Sequence, residues 1–132
     1  MATTEEDRIA REVINRAYRI HSELGPGLLE SAYRTVLVYL LIKQGFAVES
    51  EVSIPVKFDG MQHGAGYRAD VIVNGVVLIE LKSVDELGKI HFKQVITYLK
   101  LSGLRLGLLI NFNCEHLKGN IRRVVNGLPE EQ

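Results

Sequence analysis

The chain has 132 residues, 46% of them hydrophobic and 24% charged, which suits one compact domain with its own core and leaves no room for a second. Its 16 Lys and Arg are matched by 16 Asp and Glu, so nucleic-acid binding driven by net positive charge alone is excluded. A single cysteine, Cys114, excludes an internal disulfide and a thiolate zinc site built within one chain.

The N-terminal run MATTEEDR is acidic and polar where a secretory signal would be basic and then apolar. No apolar run is long enough to cross a bilayer, so the reading is a cytoplasmic protein with no membrane partner. Residues 5 to 23 carry Ile9, Val13, Ile14, Ala17 and Ile20 at helical spacing behind Thr3 or Thr4 as cap, which predicts an amphipathic helix. Gly25-Pro26-Gly27 ends it. A second helix is expected from about Leu28 to Gln44, with Gly45 as its stop. Phe46 to Phe58 alternates and is rich in Val and Ile, with Pro55 marking an edge strand or a strand end, before a turn at Asp59-Gly60. An apolar hairpin spans residues 70 to 82, Leu87 to Leu101 is helical, Leu106 to Asn111 reads as a covered strand, and Ile121 to Val125 as a last edge strand. The fold class is α/β, in the α+β sense: a mixed β-sheet flanked by helices, in the order ααβββαβ with an extra edge strand, forming one domain over 1–132.

The hairpin is chemically unusual. In YRADVIVNGVVLIELK, residues 71 to 81 hold one Asn, one Gly, Glu80 and otherwise only Val, Ile and Leu, so both faces are expected to be buried. Asp70, Glu80 and Lys82 are costly there unless paired or bound to an ion. The turn decides whether they meet. A two-residue loop at Asn74-Gly75 would pair Val73 with Val76 and put the carboxylates on opposite faces. A three-residue loop with Gly75 as a left-handed bulge would pair Ile72 with Val76 and Asp70 with Leu78, leaving Glu80 diagonal to Asp70 on one face. Lys82 then joins them, while Val71, Val73, Val77, Ile79 and Leu81 take the other face. The bulged form is the prediction.

Other polar residues stand at matching spacings. Glu30 and Tyr33 are at i and i+3 on the second helix, and Gln94 and Tyr98 at i and i+4 on the third, with His91 one turn earlier. Gly27, Glu30 and Tyr33 in GLLESAY, with YRAD, IELK, HFKQVITYLK, LGLLINF and VVNG, resemble the GxxExxY proteins across roughly residues 9 to 128. That family resembles in turn the PD-(D/E)XK nuclease superfamily, whose core of helix, three strands, helix and strand implies a restriction-endonuclease-like fold. Ala69 stands where the superfamily pattern has a proline before the aspartate.

The resemblance implies roles. Asp70 looks like the metal-binding aspartate, Glu80 and Lys82 like the E-x-K, Glu30 like the first-helix acid, and Gln94 with Tyr98 like a Q-x-x-x-Y. Asp70, Glu80, the carbonyl of Leu81 and Glu30 would hold one or two Mg²⁺ or Mn²⁺ ions, since hard divalent ions take oxygen ligands. Lys82 would supply electrostatic help, and Gln94 would position substrate or Lys82. Tyr33, Tyr67 and Tyr98 would frame the pocket, while Arg68, Lys93 and Lys100 would meet phosphate. For His91, as for His21, a structural hydrogen bond is the favoured role. The implied activity is divalent-metal-dependent phosphodiester hydrolysis of nucleic acid, with DNA favoured over RNA. A catalytically silent nuclease-like binding or regulatory module is the alternative, and a purely structural salt-bridge network a third reading. A homodimer through the apolar C-terminal edge is a further expectation.

Overall fold

A computed structural model describes residues 3–129. Helix α1 (Glu5–Leu24) starts where the Thr4 hydroxyl accepts the Asp7 N–H at 3.1 Å, with three acids in its first turn, and ends at Gly25 with φ 69°. Helix α2 (Glu30–Lys43) starts two residues later than the sequence predicts. The reason is local: Gly27 has φ 99° and the Leu28 N–H is given to the Tyr33 hydroxyl, so Leu28 and the extended Leu29 stay outside the helix. The strands are β1 (Val48–Phe58), β2 (Met61–Val73), β3 (Val77–Lys82), β4 (Leu106–Asn111) and β5 (Ile121–Val125), with helix α3 (Lys89–Ser102) between β3 and β4. None of the described helices is long and apolar enough to cross a membrane.

The five strands lie in the order β1-β2-β3-β4-β5, antiparallel except for the parallel pair β3 and β4. A parallel pair needs a crossover, and α3 supplies it. Odd-numbered residues of the central strands, Val71, Val73, Val77, Ile79 and Leu81, pack with α1 and α2. Ile72, Leu78 and Leu109 pack with Val95 and Leu99 of α3 on the opposite face. Gly107 lets α3 settle close, because a Cβ there would stand 2.8 Å from Val95 Cγ1.

The hairpin has the expected face but not the expected register. Val73 pairs with Val77, Ile72 with Leu78 and Val71 with Ile79, where the sequence reading had Ile72 opposite Val76. Asn74 and Gly75 both take positive φ, and the Val76 N–H closes the turn onto Val73 C=O at 3.0 Å, so Val76 is the additional residue rather than Gly75. The same Asn74 holds the neighbouring chain, its carbonyl oxygen accepting the Ala47 N–H at 2.8 Å. On this register the two carboxylates fall directly across from one another instead of diagonally.

At that point the sheet twists sharply. Val48 and Val71 belong to the core under α1 and α2, whereas Val52, Ile54, Tyr67 and Ala69, of the same parity along each strand, belong to the core under α3. Glu51, opposite Asp70, has φ 53°, and the ladder skips that one pair. The outer part of the β1–β2 hairpin therefore swings over α3, and Pro55 sits where the register slips again, on the edge strand as expected.

Candidate active site

Beyond Val71 and Ile79 the strands β2 and β3 part, and side chains take the place of the ladder. The Leu81 N–H, which would otherwise meet the β2 backbone, donates to the Asp70 carboxylate at 2.8 Å. The Asp70 N–H, freed from β1 by the twist at Glu51, donates to the Glu80 carboxylate at 3.2 Å. Because the N–H and C=O of a strand residue point the same way, the Leu81 carbonyl opens into the same gap. Glu80 is 5% exposed. Burial, and then the charge of Asp70, push its carboxyl up to about 8, against the pull of the Asp70 N–H and Lys82.

The walls come from two helices. Tyr98 of α3 stacks on Tyr67 of β2 with ring centroids 3.6 Å apart, and the Tyr67 hydroxyl donates to the Tyr98 carbonyl. Burial, reinforced by the Glu80 charge, pushes both phenols above their ordinary range. Gln94 is half-buried one turn before Tyr98, and Lys82 is half-buried at the end of β3. From α2, the Glu30 carboxylate accepts the Ser83 N–H at 3.3 Å. Among the described residues no group of three His, Cys, Asp or Glu side chains is placed to hold a metal ion.

Several candidates make their contacts away from the acid pair. Tyr33 is wholly buried, stacked on Phe112 at 4.3 Å, and its hydroxyl donates to Gly25 C=O at 2.6 Å, so it shapes the site through the loop it holds. His91 accepts the Gly88 N–H at 2.8 Å and caps α3, and His21 bonds the Cys114 carbonyl at 2.7 Å. Arg68 lies 3.4 Å from Glu51 with an exposed side chain, and Lys93 and Lys100 are exposed on α3.

Two residues escaped the sequence reading. Asn111 is fully buried, accepts the N–H groups of Val84 and Asn113, and donates to Val84 C=O, which fixes the chain as it leaves Lys82. An Asn closing an apolar strand was the available signal. Arg34 reaches Asp70 at 3.6 Å and Glu51 at 3.5 Å. It follows Glu30 by four residues, so helical spacing alone puts it on the same face.

The donor chemistry fits a hard divalent cation: two carboxylates and a backbone carbonyl around one gap, with water to complete the shell. A mixed sheet opened in this way beside a lysine and flanked by helices defines a restriction-endonuclease-like fold. The sequence matches the family model of the PD-(D/E)XK nuclease superfamily over residues 7–124, and the chain belongs to that superfamily. No curated protein matches the chain significantly. Among solved structures, the crystal structure of SSO0001 is similar, with a TM-score of 0.57 and 24% identity over 86% of this chain. The chain spans 63% of that protein's length, and the likeness bears on the fold alone.

Proposed function

We propose that this protein hydrolyses phosphodiester bonds of nucleic acid with a divalent metal, DNA being favoured over RNA. The observation that carries the reading is a pair of main-chain bonds, Asp70 N–H to the Glu80 carboxylate and Leu81 N–H to the Asp70 carboxylate, which hold the two acids side by side where β2 and β3 part. These groups would hold Mg²⁺ or Mn²⁺, and a bound ion would polarise the phosphate and lower the pKa of a coordinated water. Glu30 would act on the same site through water, from its anchor on Ser83. Lys82 stabilises negative charge developing on the phosphate, Gln94 orients the strand, and the Tyr67–Tyr98 stack walls off solvent beside Glu80. The kinship with GxxExxY proteins, carried by Gly27, Glu30 and Tyr33, is part of this proposal, as is a homodimer through the β5 edge, checked by light scattering.

The test is incubation with plasmid, linear and single-stranded DNA and with RNA, in Mn²⁺, Mg²⁺ or chelator. Cleavage that needs the divalent ion and disappears in Asp70→Ala and Lys82→Ala supports the reading. Cleavage that survives both substitutions sinks it. The balanced charge of the chain favours one other reading, a silent nuclease-like module, which would bind Mn²⁺ calorimetrically and cut no substrate.

A further inference from the structure

Arg34 has a position that the acid pair alone does not explain. Its side chain is 20% exposed, yet it touches Asp70 and Glu51 only at 3.6 and 3.5 Å, beyond the roughly 2.7–2.9 Å of a charge-assisted hydrogen bond. A covered guanidinium with such loose partners has donors to spare. Arg34 also lines a cavity of about 660 Å³ between the start of α2 and the loops after β3 and β4. Arg34 is the one cationic side chain lining this cavity among the described residues, and Ser31, Ser83 and Asn113 add polar atoms. Asp70, Glu80, Lys82 and Gln94 do not line it, so what binds there lies beside the acid gap rather than in it.

Building on the nuclease reading, we propose that Arg34 is a phosphate-binding residue, and that the cavity takes the backbone phosphate next to the scissile one. The planar guanidinium fork suits a phosphate better than the two separate acids it now spans. Without an ion, Arg34 partly neutralises Asp70, and any cation taken up by the acid pair competes with it. Occupation of the pair and release of Arg34 toward phosphate are therefore one linked event. Glu30 also faces the cavity and repels phosphate, so the subsite depends on Arg34 remaining charged and free to turn.

The experiment uses the full chain carrying Lys82→Ala to suppress cleavage, a short fluorescein-labelled DNA duplex, and anisotropy in Mn²⁺ across a salt series. Adding Arg34→Ala should weaken binding on the order of tenfold and make the slope of log K against log salt shallower by about 0.9, the signature of one lost phosphate contact. Arg34→Lys should keep the slope while losing part of the affinity. In parallel, calorimetry should find Mn²⁺ bound more tightly by Arg34→Ala, because a competing cation is gone. An unchanged salt slope, or weaker Mn²⁺ binding restored by Arg34→Lys, would make Arg34 a clamp for Asp70 and overturn the proposal. If the Lys82→Ala parent binds neither DNA nor RNA, the nuclease reading falls and this inference falls with it.

Discussion

Asp70 and Glu80 each hold a backbone donor that the sheet has given up: the Glu80 carboxylate accepts the Asp70 N–H at 3.2 Å, and the Asp70 carboxylate accepts the Leu81 N–H at 2.8 Å. Two acids that repel one another are thus fixed by main-chain bonds rather than by a shared counter-ion. Removing either acid strands one N–H and takes one oxygen donor from the gap.

Asp70→Asn and Glu80→Gln should each weaken Mn²⁺ binding by more than about 100-fold, as expected for loss of a charged ligand. The double variant should be little worse than either single one, because the pair acts as a unit. Isothermal calorimetry reads this directly, and full Mn²⁺ affinity in Asp70→Asn would remove Asp70 from the site.

The pH dependence of stability has a definite sign. Glu80 titrates near 8 in the folded chain and near 4.5 when unfolded, so between these values the folded form holds a proton that the unfolded form has released. In chelator the melting temperature should therefore fall as pH rises from about 4.5 to about 8. Glu80→Gln should flatten that slope. Saturating Mn²⁺ should flatten it as well, since the cation takes over the proton's place in offsetting the buried charge.

Asn111→Leu removes three hydrogen bonds and leaves the N–H groups of Val84 and Asn113 and the Val84 carbonyl to find other partners. A loss of about 1–3 kcal/mol is expected in urea unfolding. Because Asn111 pairs with Lys82 across β3 and β4, cleavage should fall by more than stability accounts for.

Gly107→Ala tests the close packing of α3 on the sheet. Its Cβ would meet Val95 Cγ1 at 2.8 Å and Leu99 at 3.4 Å, and short, packed side chains cannot easily yield. The expected cost is about 1–3 kcal/mol. Mn²⁺ affinity should stay unchanged in the folded fraction.

Periodicity made the element order legible, and the apolar hairpin made its charged residues conspicuous. Parity along a strand also put Asp70, Glu80 and Lys82 on one face. The register differs from the expected one by two residues along β3, because choosing Val76 rather than Gly75 as the additional residue depends on Asn74 taking positive φ while reaching across to Ala47. The reversal of strand faces at Glu51 was not legible either, since no alternation pattern announces a glutamate in the left-handed region. Asn111 and Arg34 were visible as letters, but their partners lie across the sheet and become evident only once β3 is beside β4 and α2 beside β2.

Tyr33 gives the site a division of labour. The acid pair is written into adjacent strands, whereas the cavity beside it exists because a tyrosine stacked on Phe112 tethers the loop at Gly25 and Leu28, whose carbonyl in turn accepts the Ser83 hydroxyl. The proposed cation chemistry and the proposed substrate seating thus rest on separate foundations. Substitutions at Tyr33 or Phe112 can redraw what the protein grips while leaving intact what it would use to cut.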